Sequence, residues 1–284
     1  MLSFLKEPLK DISISRSNER AKNWGVPVPQ DPSQRIYVWF DALNIYQTGI
    51  GFGWDDKMYT KWWPADVHVI GKGIIRFHAI YWPAFLLSAK LPLPKSLLVH
   101  GYITIEGQKM SKTIGNVVNP LTLVDKFGTD ALRYYLLKEI PTFSDGDFSE
   151  SRMQDLYSSD LANELGNLLS RVTNLAQVNQ IKGVEIEFKV RVEDKNYTDY
   201  IENYELTKAL EFVWEKVKSL NRSLDETAPW KNEDNRSEYL TKMLKEIRYV
   251  GYLLLPFLPE TGKIILNNTI GSIKKTAPLF PKKT

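Results

Sequence analysis

Cysteine is absent from all 284 residues. That excludes disulfides and thiolate metal sites, and it fits a reducing compartment. Histidine is nearly absent too: His68, His78 and His100 are the only three, too few for a His-rich metal centre. No apolar run is long enough to span a bilayer, and no signal peptide opens the chain, so the expectation is a cytoplasmic protein. A strong charge of one sign is also lacking. The 37 basic and 34 acidic residues leave +3, which by itself does not announce a nucleic-acid partner. There is no internal repeat and no low-complexity tract. With 43% hydrophobic and 25% charged residues, the chain has the composition of a globular protein, with length enough for two domains.

Aromatic residues, by contrast, are plentiful. They make up 12% of the chain and include eight tryptophans, several of them between Trp39 and Trp82, which points to an aromatic core or pocket there. The first thirty-five residues are polar and punctuated by Pro27, Pro29 and Pro32. Ile36-Tyr37-Val38-Trp39-Phe40 reads as a buried strand, with Asp41 placed to cap a helix over 42–48 that Gly49, Gly51 and Gly53 end. Residues 67–70 form a second strand stopped by Gly71. A helix over 74–89 follows, kinked at Pro83, and then a third strand over 96–100. Strands alternating with helices suggest a parallel α/β sheet. Three strands make half of a doubly wound domain, so the chain is expected to enter such a fold midway, with an apolar patch left near Val38, Val67 or Trp82.

From Pro120 onward the pattern is helical. Pro120 to Phe127 is closed by Gly128, and Asp130 to Glu139 by Pro141. Leu161, Leu165, Leu168, Leu169, Val172 and Leu175 form one apolar stripe, with Asn163, Asn167, Arg171 and Asn174 opposite. Leu206 to Leu224 carries a second stripe, and Tyr239 to Leu255 a third helix. This half is expected to be an antiparallel α-helical bundle, with Lys274, Lys275, Lys282 and Lys283 dotting its tail.

The run Gly107-Gln108-Lys109-Met110-Ser111-Lys112-Thr113 carries the most chemistry. Gly107 and Gly115 frame a loop that can move and approach a ligand closely. Two lysines on flexible stems suit a polyphosphate whose charge is rearranging. Two lysines alone are more often an exposed basic turn, and it is the neighbouring segments that decide between the readings.

Those segments occur in a fixed order. They are Ser13 to Ser17, Val38 to Leu43, Ile70-Gly71-Lys72, Arg76-Phe77-His78 and Tyr81 to Phe85. His100-Gly101-Tyr102, Lys109 to Thr113, Gly115-Asn116, Asp130 to Tyr135, Leu161 to Arg171 and Ala228-Pro229-Trp230 follow. Together they resemble the methionyl-tRNA synthetases, a branch of the class I aminoacyl-tRNA synthetases, from about Leu9 to Pro281. The resemblance implies a partial Rossmann-like sheet over 1–119 that carries the lysine loop. It further implies a connecting helical region over 120–150 and an anticodon-binding helical domain over 151–284.

It also implies activation of methionine by ATP with Mg2+ and transfer to tRNA(Met). Lys109, Ser111 and Lys112 are the implied catalytic residues, and His100, Gly101 and Gly71 join the two lysines in holding ATP. Ala42, Leu43, Tyr46, Ile74, His78, Tyr81 and Trp82 are implied to form the methionine pocket. The spacing of Ile74, His78, Tyr81 and Trp82 places them on one helix face, which by itself also describes a core stripe. Asn167 and Arg171, one turn apart, and Trp230, a flat stacking surface, are implied to read the anticodon. Each of these also fits a solvated helix face or a bundle cap.

Two departures from the family pattern stand out. No His-Ile-Gly-His-like segment occurs, nor an inserted zinc-knuckle domain, so no zinc site is expected and the chain corresponds to the C-terminal part of such an enzyme. Gly73 stands where the family usually has aspartate. Three readings remain open: one piece of a synthetase that works with a separate N-terminal fragment, a tRNA-binding module without catalysis, or an interaction protein on an inherited fold.

Overall fold

The structure, a computed structural model, describes residues 4–6, 8–111, 113–231 and 233–281. The chain divides into two compact units, Met1–His100 and Gly101–Thr284.

In the first unit, β1 (Ser15–Ser17), β2 (Pro27–Val28) and β3 (Asp31–Ile36) form a small antiparallel sheet in the order β1-β3-β2. Three short helices follow: α1 (Val38–Ala42), α2 (Ile45–Thr48) and α3 (Asp56–Trp62). The strand expected over Ile36–Phe40 is therefore a strand end running into a helix. The reason is visible in the packing. Trp39 stacks on Phe77 with ring centroids 4.1 Å apart, and Phe40 meets Phe85 at 4.9 Å. In a strand, neighbouring side chains would point to opposite faces; a helical turn lets both rings reach the same neighbouring helix. Asp41 accordingly lies inside α1, where Tyr37 occupies the N-cap position, and the helix expected over 42–48 is broken at Leu43-Asn44.

β4 (His68–Gly71) pairs in parallel with β5 (Leu97–His100), with Gly71 opposite His100. Between them runs one helical stretch. It opens as a 3-10 turn (Lys72–Ile74), widens to a π-helical segment (Phe77–Tyr81) and closes as α4 (Trp82–Ser88). The kink expected at Pro83 takes the form of that wide turn, in which Trp82 N–H reaches back to the Phe77 carbonyl. Two strands of the expected parallel sheet, β4 and β5, are present, and of the strand expected over Ile36–Phe40 only Ile36 lies in a strand, the antiparallel β3. Val38 is 42% exposed and Val67 half-buried, whereas Trp82, at 1%, is core and no part of an apolar patch.

The second unit opens with β6 (Ile103–Ile105) and β7 (Gln108–Lys109), a hairpin turning through Glu106 and Gly107, both at positive φ. Two such residues define the tight turn whose twist matches the strands. α5 (Pro120–Phe127) begins with proline under an Asn119 cap and stops at Gly128, which has φ +91°. α6 (Thr129–Glu139) follows, and β8 (Gly146–Phe148) then returns to pair in parallel with β6. The remaining helices are α7 (Glu150–Leu156), a π-helical stretch (Tyr157–Gly166), α8 (Asn167–Val178), α9 (Lys195–Glu202), α10 (Leu206–Thr227), α11 (Arg236–Leu254) and α12 (Pro259–Asn268). β9 (Lys182–Gly183) and β10 (Gly271–Ser272) form a short antiparallel pair.

One continuous core fills this unit. Leu161, Leu165, Leu168, Leu169 and Val172 meet Leu210, Val213, Val217 and Leu224 of α10 and Ile247, Val250 and Leu254 of α11. Asp130 accepts from Thr261 N–H near the start of α12, and Arg133 donates to the Pro256 and Phe257 carbonyls that follow α11. The Asp130 to Tyr135 motif thus ties α6 to the far end of the unit.

Candidate functional site

In the first unit an aromatic cage forms around Tyr46. Its ring lies 4.3 Å from that of His68, 5.6 Å from His78 and 6.3 Å from Trp82. Trp63 closes the far side, 6.1 Å from His68 and 6.4 Å from Trp82. Leu43, fully buried, packs with Trp63 and Trp82. Hydrogen bonding fixes the state of His78. Its Nδ1 lies 2.9 Å from the Ile74 carbonyl, a pure acceptor, so Nδ1 carries the proton. Nε2 lies within hydrogen-bond distance of the Tyr46 hydroxyl, at 2.9 Å. His78 is buried. Burial pulls the His68 pKa below its ordinary value, and charge on His78 adds to the effect. Burial likewise raises the Tyr46 pKa.

Two buried polar atoms here find no protein partner, His68 Nδ1 and Trp82 Nε1. Buried polar groups are normally paired, and these two atoms keep their hydrogen-bonding capacity.

Of the residues expected from the sequence, the structure brings Leu43, Tyr46, His78 and Trp82 together, and Ile74 supplies the carbonyl that orients His78. Ala42 is exposed at the end of α1. Tyr81 packs edge-on to Phe77 and under the Arg76 guanidinium. The wide turn spanning Phe77–Tyr81 adds residues per turn, so the face that regular helical spacing gives to 74, 78, 81 and 82 is not kept. Trp63 and His68 were not singled out in the sequence. The one signal for His68 is the alternation of β4, whose His68 and Ile70 are buried and whose Val69 is exposed.

Gly71 and His100 end the two parallel strands side by side, and a Cβ on Gly71 would stand 3.6 Å from the His100 ring. The carboxyl ends of parallel strands are where such sheets hold ligands. Gly101 has a separate explanation, since a Cβ there would lie 2.1 Å from the Ser144 carbonyl.

In the second unit, the lysine loop rises from the β6–β7 hairpin. The Asp147 carboxylate accepts from Thr104 Oγ1 at 2.6 Å and Gly107 N–H at 2.9 Å, bonds that lower its pKa, Thr104 first. Lys109 Nζ stands 4.7 Å over the Tyr102 ring. The Asn116 side chain spans the loop, accepting from Ser111 N–H at 2.8 Å and donating to the Lys109 carbonyl. Ser111 Oγ accepts from Thr113 N–H, and Gly115, at φ +78°, turns the chain back. Lys112 lies outside the described residues.

Asn167 and Arg171 lie one turn apart on α8, with Asn167 exposed. Arg171 Nη2 donates to Asp225 at 2.6 Å, and its guanidinium carbon lies 5.3 Å from the Trp230 ring centre. α10 ends with Ala228 in the left-handed conformation, φ +41°, and Pro229 cannot continue the helix. Trp230 is left in the following turn, 44% exposed. Asp225 is the member of this group that sequence reasoning missed; its pairing with a residue 54 positions earlier has no local signature. Among the described residues no three metal-ligating side chains converge.

A family model described as class I tRNA synthetases (M) matches residues 1–173. A methionine–tRNA ligase of Thermotoga maritima is 42% identical over 279 residues, covering 93% of this chain and 44% of its own length. One from Rickettsia conorii is 39% identical over 99% of this chain and 58% of its own length. The crystal structure of Mycobacterium tuberculosis methionyl-tRNA synthetase bound by methionyl-adenylate superposes with a TM-score of 0.87 at 33% identity, covering 99% of this chain and 62% of that one. The chain thus spans about half the length of the curated relatives it matches.

Proposed function

The chain belongs to the class I tRNA synthetases, methionyl branch, and from that premise we propose that it serves the ATP-dependent charging of tRNA(Met) with methionine. The observation that carries this reading is the cage of Tyr46, Trp63, His68, His78 and Trp82. A thioether packs well against aromatic edges, at about 0.3–1.5 kcal/mol per contact. The hydrogen-bonded Tyr46–His78 pair adds a polar feature to a mainly aromatic slot. Relatives named methionine–tRNA ligase and a structural neighbour holding methionyl-adenylate support the assignment.

In this reading the methionine carboxylate attacks the α-phosphorus of ATP, an acyl-phosphate bond forms and pyrophosphate leaves. A ribose hydroxyl of tRNA then takes the methionyl group, and AMP leaves. Lys109 and Lys112 meet the charge that builds on the phosphates, an interaction stronger in the transition state than before it. Ser111 and Asn116 hold the backbone between them. Gly71, His100 and Gly101 pass alongside the nucleotide, and Mg2+ comes with ATP on its phosphates. Asn167, Arg171 and Trp230, with Asp225 orienting Arg171, take the anticodon. On this reading residues 1–119 serve the chemistry, 120–150 connect, and 151–284 bind the tRNA.

Gly73 favours a second reading, a tRNA-binding module of this family without catalysis, because glycine supplies no carboxylate. Methionine-dependent ATP–pyrophosphate exchange separates the two, run with and without the N-terminal portion of a family member added as a second polypeptide. Exchange that appears with the added piece, and drops about 100- to 1,000-fold in Lys109→Ala, supports the first. No exchange under either condition, with tRNA still bound, overturns it in favour of the second.

A further inference from the structure

We infer that the second unit holds a distinct nucleobase pocket, walled on one side by the helical residues 162–170 and on the other by residues 278–281. The inference rests on the RNA-reading role proposed for this unit, and it adds a site to that role. The cavity has a volume of about 570 Å3, within the range of ligand pockets. Its chemistry divides cleanly between the two walls. Asn163, Asn167 and Ser170 line the helical side, and Pro278, Leu279 and Pro281 the other. None of the described residues lining it is charged, which disfavours a phosphate and suits a neutral, flat, hydrogen-bonding group. A carboxamide offers a donor and an acceptor side by side, the pattern a base edge presents. Asn163 and Asn167, four residues apart, turn two such groups to the same side, while proline and leucine meet the face of a base.

The pocket is built in advance. The 275–281 segment is pinned along the helices at several points. Lys275 N–H donates to Gln177 Oε1 at 2.6 Å, and Thr276 N–H donates to Thr173 Oγ1 at 3.1 Å. Tyr157 O–H donates to the Pro281 carbonyl at 2.8 Å, and buried Phe280 packs edge-on to Tyr157 at 5.9 Å. The floor is Gly166. A Cβ there would stand 3.9 Å from Leu279 Cβ and 3.1 Å from the Leu161 carbonyl, so glycine lets the two walls approach closely without crowding. Asn167 belongs both to this cavity and to the face it shares with Arg171. Exposed Lys274 and Lys275 lie on the segment that forms the other wall, placed for the backbone phosphates of the same strand. The occupant is therefore an unstacked base from the single-stranded loop whose neighbour lies on Trp230.

An RNA hairpin carrying the tRNA(Met) anticodon loop tests this, with 2-aminopurine or an abasic residue placed at each loop position in turn. The full chain is compared with its Asn163→Ala and Trp230→Ala variants. Asn163 is exposed, so Asn163→Ala keeps the parent melting temperature. The expected result is a loss of about tenfold in hairpin affinity for Asn163→Ala, the size of one lost base-edge contact. That loss disappears when one particular loop position is already abasic. The position differs from the one at which Trp230→Ala and the abasic change fail to add. If Asn163→Ala binds every hairpin as the parent does while Trp230→Ala weakens binding, the pocket is overturned and the RNA-reading role survives. If the parent binds no hairpin, both fall together.

Discussion

The two units use their buried aromatic residues in different ways. In the second unit each large buried tyrosine hands its hydroxyl to a fixed acceptor within the fold. Tyr134 donates to Asp160 at 2.6 Å, Tyr197 to the Leu253 carbonyl at 2.7 Å and Tyr249 to Asp194 at 2.8 Å. Burial first, and the hydrogen bond to Asp160 next, drive the Tyr134 pKa far above the ordinary range. These rings are structural pins. In the first unit the rings around Tyr46 face one another, two internal bonds hold His78, and His68 Nδ1 and Trp82 Nε1 stay unpaired. Pinned tyrosines and a cage of facing rings are thus built from the same residue types. What separates them is where the hydroxyls go, into fixed acceptors of the fold in the second unit and onto a histidine ring in the first.

Substitutions can break or sharpen that contrast. The largest effect is expected from Leu210→Ala, fully buried in the second unit. It should cost about 2–5 kcal/mol of stability in urea unfolding and leave methionine affinity in the first unit untouched. A shared loss would mean that the units are not separable in this way. Next comes Trp230→Ala, with a loss of about 1–3 kcal/mol in binding an anticodon hairpin. Trp230→Phe should recover much of it, read by fluorescence anisotropy. Tyr46→Phe removes one hydrogen bond to His78 and should weaken methionine binding by about 1 kcal/mol, measured by calorimetry on the assembled enzyme. Should it lower the melting temperature and spare methionine affinity, the cage is core like the rest.

The smallest effect concerns His68. Its pKa in the folded protein lies below the ordinary imidazole value, so the unfolded chain binds the extra proton more readily. The stability associated with neutral His68 is present above that ordinary value and declines as pH falls through and below it. Replacing His68 with Gln should flatten this part of the stability–pH curve, and an unchanged slope would contradict the assignment.

Much of this was legible in the sequence where the signal is local. α5 and α6 follow from Asn119-Pro120, Gly128 and the apolar spacing between them, and β4 and β5 from short apolar runs ended by glycine. The stripe over 161–175 reads correctly although part of it is π-helical, because leucines recur often enough to survive the change of pitch. Ile36–Phe40 misled because five apolar residues have no period of their own, and contacts with Phe77 and Phe85 decide their shape. The cage was half legible. Tyr46, His78 and Trp82 come from family-like segments, while Trp63 and His68 join them through packing across strands and loops. Asp225 was hidden for the same reason.

Asp147 has a practical bearing on how such a chain can be dissected. The hairpin that presents Lys109 is completed by β8, forty residues downstream, through one carboxylate and a parallel ladder. A cut after 119, where the catalytic motifs end, would leave that hairpin without its third strand. A cut between His100 and Gly101 keeps the loop, its brace and the helices in a single compact unit. Reassembly experiments that move the lysine loop between proteins should therefore transplant it together with residues 146–148.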